Sequence, residues 1–348
     1  MKNLIYSLAL LLGSHDLWAV EDTKSFQIPY ETTQRLKISG YKGDIELIPA
    51  KEAQSTRITI TKNYQIPSGT PDDIEIAIKR WDPLVENREN QLQITFREPQ
   101  VRDFWLRKDY QDLVPNFKIQ IVGFNLPTEI YWWKGDIKTA EWKNSVHVTL
   151  QSGSVDLNKV EGESNINVQS GSIKMIQQKG NVIIQTYDAK VVASNIEGSI
   201  EIDNFVGPTS VDKVEGAVRL NSFSGRNKFN DVKGSLNFQL KVGVLDIDEL
   251  DGSLRGENAD GQVRAHLTGS PDVRIRSQGG GVNLSMSKKQ SAHLNIGSVE
   301  GELRIPTNIK VQKGANMKWA VGKLRGGGEK EGQIFARSQS GLIGVNQK

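Results

Sequence analysis

A glycine recurs every nine residues through the middle of this 348-residue chain, and a spacing that strict belongs to a backbone that winds on itself. Gly135, Gly153, Gly162, Gly171, Gly180, Gly198, Gly207, Gly216, Gly225, Gly234, Gly243, Gly252 and Gly261 share one grid, with Asn144 and Ala189 on its two remaining points. Counted from each glycine, apolar side chains favour the third, fifth and eighth places: Ile200, Ile202 and Phe205; Val218, Leu220 and Phe223; Leu245, Ile247 and Leu250. A period of two means strand, so the third and fifth residues face the core, and the eighth is expected to re-enter it after a bend. Glu201, Arg219 and Asp246 fall between them, as a solvated face requires. The glycine marks the corner, where positive φ or close backbone approach excludes a Cβ. The three-and-four spacing of a helix is missing.

The units alternate in kind. One corner reads apolar, charged, glycine, as in Val160-Glu161-Gly162, Val214-Glu215-Gly216 and Leu250-Asp251-Gly252; the other reads Gln151-Ser152-Gly153, Gln169-Ser170-Gly171 and Phe223-Ser224-Gly225. The true repeat is therefore an 18-residue coil, and the expected fold is all-β, a single-stranded β-solenoid with an irregular N-terminal cap and C-terminal closing strands. From Gly135 to about Ser270 there is room for roughly seven and a half coils, about 36 Å of rod at a strand spacing of ~4.8 Å. The expected organisation is 1–19 signal peptide, 20–134 N-terminal cap and first irregular coils, 135–270 regular solenoid, and 271–348 irregular C-terminal coils and closing strands.

The leader assignment rests on Lys2, the apolar run Leu4 to Leu12 and the small residue Ala19, which together have the layout of a secretory signal cleaved near Ala19. That run is too short to span a bilayer, and no later segment is a candidate, so no transmembrane segment is expected after its removal. Cap strands are expected around Leu36 to Ile38, Ile45 to Leu47, Arg57 to Ile60, Ile74 to Ile78 and Leu92 to Phe96. Pro99 to Pro115 reads as a short amphipathic helix or an inserted loop. Beyond Ser270 the grid slips, and Gln333 to Ile343, with a further Gln-Ser-Gly corner, reads as a final strand pair docking on the last coil.

The chain has no cysteine, which excludes disulfides, thiol nucleophiles, cysteine-ligated metals and a lipoprotein anchor. Its net charge is +3 with bases and acids interleaved, so nucleic acid is not an expected partner. The carboxylate-bearing turns of calcium-binding β-rolls are missing; Asp follows a named glycine only at Asp44 and Asp136. His147, His266 and His293 are widely separated, and no metal or other cofactor is expected. Asp156, Glu201, Asp246 and Asp248 are outward carboxylates of the kind polysaccharide-cleaving β-helices use, but nothing in the sequence builds the walls of a cleft. The aromatics concentrate in the N-terminal half. Trp105 and the run Tyr131-Trp132-Trp133 are the candidate ligand-binding residues, because consecutive aromatics on a strand must point to both faces; the competing role is sealing the cap.

Leu126-Pro127-Thr128-Glu129-Ile130 with Gly135-Asp136-Ile137, the following Gly-Ser-Val and Gly-Ser-Ile corners, and the earlier Gly43-Asp44-Ile45-Glu46-Leu47 resemble the bacterial putative-adhesin family of unknown function. The resemblance covers most of the chain beyond the leader and implies an exported or envelope-associated β-solenoid, with motifs that are structural and carry no catalytic residue. The expected function is a non-enzymatic adhesin or envelope-associated binding scaffold, with a glycan or an envelope or surface protein as partner. The alternatives are a polysaccharide-active β-helix enzyme and a self-assembling filament.

Overall fold

The computed structural model describes residues 6–11, 17–29, 33–50, 55–67, 81–96, 115–123, 125–327 and 331–348. Trp105 and, apart from Pro115, the Pro99 to Pro115 segment lie outside them, as does the strand expected at Ile74 to Ile78. Every regular element among the described residues is a strand, and the fold is a β-solenoid of about nine turns with about 18 residues per coil. The chain divides into two compact units, 1–168 and 169–348, with the division inside one strand.

The first unit holds β1 (Tyr6–Leu11), β2 (Leu17–Pro29), β3 (Arg35–Pro49), β4 (Ser55–Pro67), β5 (Leu84–Arg88), β6 (Gln91–Thr95), β7 (Asn116–Gly123), β8 (Thr128–Ala140), β9 (Val146–Glu161) and the start of β10 (Ser164–Lys179). Its parallel stack runs β3, β8, β9. On the other side of β3, β7 pairs in parallel with its second half, and β4, β2 and β1 follow antiparallel. The β5–β6 hairpin pairs with the first half of β3. Winding thus begins at Arg35, and an antiparallel sheet replaces the bare parallel edge that would otherwise invite another coil. The stretch with the layout of a leader supplies β1, whose Tyr6 to Leu11 lie opposite Lys24 to Ala19 of β2.

The second unit holds β11 (Val182–Glu197), β12 (Ile200–Val206), β13 (Thr209–Glu215), β14 (Val218–Ser222), β15 (Arg226–Leu240), β16 (Val244–Asn258), β17 (Gln262–Ser277), β18 (Val282–Met286), β19 (Ser291–Ser298), β20 (Leu303–Arg304), β21 (Gln312–Lys313), β22 (Lys318–Leu324), β23 (Glu331–Ser338) and β24 (Ile343–Gln347). Register advances by 18 residues per coil, so equal side chains stack: Val182, Ile200, Val218, Leu236 and Leu254 form one buried row, and Ile196, Val214, Val232, Leu250 and Leu267 another. Each side chain so buried contributes about 1.5–3 kcal/mol. Outside, residues 18 apart pair by charge, as in Glu197–Lys179 at 3.6 Å, Glu215–Lys233 at 3.2 Å and Asp246–Arg264 at 3.1 Å. The register slips in β17, where Leu250 meets Leu267 and Ser253 meets Asp272.

The corner glycines are required by the coil beneath. A Cβ built on Gly216 would lie 2.2 Å from the carbonyl oxygen of Gly198, and one on Gly252 1.8 Å from that of Gly234. With φ near +156° and +147°, these positions also suit glycine alone. Ala189, the small residue on the same grid, takes a place without this dihedral and is buried.

The expectation that every eighth residue enters the core needs correction. It holds for Val160, Ile196, Val214 and Leu250, but Phe205 and Phe223 point outward. Where the eighth residue is buried, the seventh is a non-glycine residue in the left-handed region, as at Lys159, Asn195, Lys213 and Glu249, with φ between 55° and 61°. That single left-handed residue reverses the in–out alternation. The other kind of unit lacks it, so alternation continues, the seventh residue (Asn204, Ser222) turns inward and the eighth stays in solvent.

The end of the second unit also departs from chain order. The pair β23–β24 docks on β17–β18 as expected, but β19–β20 then covers it from the far side. β22, antiparallel, lies along the remaining edge of β19.

Gly216→Ala is expected to lower stability by about 3 kcal/mol through backbone strain and the clash with Gly198. The exposed-face substitution Lys228→Ala should stay within about 0.5 kcal/mol. Urea unfolding followed by circular dichroism measures both.

Candidate binding surfaces

On β8 the alternation divides the aromatic run cleanly. Tyr131 and Trp133 face outward, 38% and 60% exposed, while Trp132 is buried. The Trp132 ring packs edge-on against Phe96 at 5.6 Å, fills the space left by the absent Cβ of Gly40, and donates its indole N–H to the Gly43 carbonyl at 2.9 Å. It therefore belongs to the cap interior, with Trp81 and Trp142. Around Tyr131, the Lys37 ammonium lies 5.2 Å from the ring centroid and His147 at 5.8 Å, and Glu129 accepts from the phenol at 3.4 Å. Of the predicted ligand-binding residues, Tyr131 and Trp133 share a surface, Trp132 lies behind it, and Trp105 is outside the described residues.

The cap also buries charge. Lys62 on β4, fully buried, pairs with Asp22 at 2.5 Å and Asp82 at 2.7 Å, and Lys24 closes on Asp82 from β2. Opposed register of Asp22 and Lys62 puts these groups on one face of the antiparallel pair. Burial by itself would raise the Asp82 carboxyl, but hydrogen bonds and attraction from Lys24 and Lys62 outweigh it and hold the group below its ordinary value. Burial, with Asp22 and Asp82 adding to it, pushes the Tyr64 phenol far up, so it stays protonated.

The second unit carries the larger surface. Tyr187, Phe205 and Phe223, one per coil at 18-residue spacing, stack with centroids 5.0 and 4.5 Å apart and planes within 16° of parallel. They are 58%, 42% and 42% exposed. Rings this close and this parallel turn their faces to one another and present a wall of ring edges outward. Below the wall, the inward seventh residues pin the bend: the Asn204 amide donates to the Gly207 carbonyl at 3.2 Å, and that of Asn258 to Gly261 at 2.9 Å. Beside it runs a polar row, Asp203, Asn221, Gln239 and Glu257 at 18-residue steps and then Arg276, 19 residues on, past the slip in β17. Wall and row enclose a trough of about 720 Å³, and a second hollow of about 590 Å³, lined partly by Asn221, Gln239, Glu257 and Arg276, continues it.

The composition of Phe205 and Phe223 hid this wall, because two apolar rings at a core-like place look like core. The residue type at the seventh place gives no warning, since Asn195 before the inward Ile196 and Asn204 before the outward Phe205 are both asparagine and only their backbone conformation differs. Trp133 lies three repeats before Tyr187 at the same place of the repeat, so both aromatic surfaces use one pair of outward positions.

The remaining candidates separate. His266 Nδ1 lies 3.1 Å from Ser285 Oγ and His293 Nε2 2.7 Å from Glu331, while His147 sits by Tyr131. Glu201 pairs with Arg219 at 3.6 Å and Asp246 with Arg264. Among the described residues no three His, Asp or Glu side chains are grouped to hold a metal ion, and no helix is long and apolar enough to cross a membrane.

Fold and surface together define a repeat scaffold with outward ladders. No protein-family model and no curated protein matches the chain. Three solved structures are similar to it: a putative cell adhesion protein from Clostridium sporogenes (10% identity, covering 94% of this chain and 100% of that one, TM-score 0.20), a putative adhesin from Bacteroides fragilis (13%, 94% and 96%, 0.28) and a putative lipid binding protein from Parabacteroides distasonis (12%, 94% and 96%, 0.32). Likeness at this level reaches neither a ligand nor an activity.

The stabilising contribution of Asp82 is fully present above its ordinary pKa of 3.8 and is lost as pH falls through the lower value it has when folded. Asp82→Asn should therefore destabilise the cap at neutral pH and flatten the acid limb of its stability profile. Lys62→Ala, which strands Asp22 in the interior, should cost about 3–5 kcal/mol. Thermal unfolding followed from pH 7 down to about pH 2 tests both.

Proposed function

We propose that the chain is an exported, non-enzymatic binding scaffold of the cell envelope, adhesin-like in its use of a long repeat surface. The observation that carries this reading is the exposed ladder Tyr187–Phe205–Phe223 beside a shallow trough. Monomeric proteins seldom leave stacked aromatics in solvent without a use for them. The outward carboxylates Glu201 and Asp246 are each answered by a base one coil on, which supports binding over hydrolysis. Tyr131 and Trp133 form a second contact surface in this reading, and Trp105 remains a candidate with them. Export rests on the layout of residues 1–19, and β1 would leave with the leader.

Two outcomes are expected. Phe205→Ala with Phe223→Ala should keep the circular dichroism and melting profile of the parent yet lose at least tenfold in retention on bacterial envelopes, about 1.4 kcal/mol; unchanged retention would remove this surface from the function. N-terminal sequencing of protein recovered from the exported fraction should begin at Val20.

A further inference from the structure

The trough has a repeating chemistry, and that repeat is its most informative property. Five rungs, Asp203 to Arg276, lie in register and span about 19 Å at the spacing of parallel strands. Each rung offers side-chain donors or acceptors on the same face of the sheet, beside an apolar wall that ends at Phe223. Beyond Phe223 the wall row continues as Lys241 and then Ala259, whose short side chain leaves the trough open.

The charges on this face are mostly answered locally. Asn221 donates to Asp203 at 2.5 Å, Arg219 faces Glu201 at 3.6 Å, and Asp272 holds Arg255 at 2.7 Å and Arg274 at 3.7 Å. A face built this way presents directional hydrogen bonds with little net field, which disfavours nucleic acid and an anionic membrane as occupants. It is also poorly made for strand addition, because the trough lies on the face of paired strands and offers no free backbone edge. An elongated ligand with hydroxyls along its length and an apolar ring face at each repeat matches both the polar row and the aromatic wall.

We infer that the trough of the second unit, between the Phe205–Phe223 wall and the Asp203–Arg276 row, binds a linear polysaccharide lying along the stack, about one sugar per coil. This rests on the binding function proposed above and specifies its ligand class. Asn221, Gln239 and Glu257 hydrogen-bond the sugar hydroxyls, Arg276 and Lys241 donate at one end, and the stacked edges of Phe205 and Phe223 give the chain an apolar side to lie against. The site admits an internal stretch of chain, since the trough is open along its length.

The test compares retention of the purified protein on bacterial envelopes digested with protease and on envelopes oxidised with periodate, together with binding to a panel of immobilised linear polysaccharides. Retention should survive protease, fall at least tenfold after periodate, and be matched by binding to at least one polysaccharide of the panel. Ala259→Trp, which fills the trough from an outward position, and Gln239→Ala should each weaken that binding tenfold or more, with melting unchanged and Lys228→Ala as the control. Retention lost to protease and kept after periodate, with the wall variants still defective, would overturn the polysaccharide and leave a protein partner on the same surface. Full retention by Ala259→Trp and by the double phenylalanine variant would overturn the trough itself, and with it the function proposed above.

Discussion

At the corners of this solenoid the backbone of one coil sits where the Cβ of the next coil's glycine would be, and the rest of the architecture follows from that contact. Gly198 under Gly216, and Gly234 under Gly252, leave no space for a side chain, so successive coils can stack in one register only. A register fixed at 18 residues turns one-dimensional sequence positions into rows. The aliphatic rows fill the interior, and the charged rows pair across coils at the surface, where solvent screening leaves each pair little weight in stability. The specificity of stacking therefore comes from the corners and the core, and the surface ladders are left to carry function.

The two kinds of corner divide the labour. A left-handed residue such as Lys213 or Glu249 reverses the alternation and sends the eighth side chain inward, closing the core on that side. Its absence in the other kind sends Phe205 and Phe223 out and turns Asn204 inward to brace the bend. The aromatic wall and the trough are thus consequences of one missing backbone reversal per coil. The cap of the first unit solves a different problem: an antiparallel sheet ends the stack, and it is held by a buried charge cluster whose carboxylates need their lysines.

Much of this was legible from residues alone. Third and fifth places gave the inward rows, because a strand alternates and the period was unbroken from Gly135 to Gly261. The same rule requires the run Tyr131-Trp132-Trp133 to point to both faces, but only the fold shows that Trp132 is the inward one. The eighth place was not, since Phe205 and Leu250 are both apolar there and only the dihedral of the preceding residue separates them. The buried cluster of Asp22, Lys24, Lys62 and Asp82 was equally hidden: its members are scattered along 61 positions, and antiparallel pairing of β2 with β4 and a segment outside the strands bring them together with no period to read.

By itself, then, the sequence determined the coil: its length, its inward rows and the corners that admit no Cβ, all of them local and repeated. The order of coils at the end of the second unit was decided by the tertiary structure. There the corner glycines stack as Gly261, Gly280, Gly341 and Gly301, each built-on Cβ falling within about 2 Å of the neighbouring glycine's oxygen at the Gly280–Gly261, Gly341–Gly280 and Gly301–Gly341 steps, so that a later segment lies between two earlier ones. Any coil with the right corner and apolar rows can pair with any other. Which one it meets depends on where the connecting chain lets it reach and which edges remain open, with β22 already closing the far side of β19.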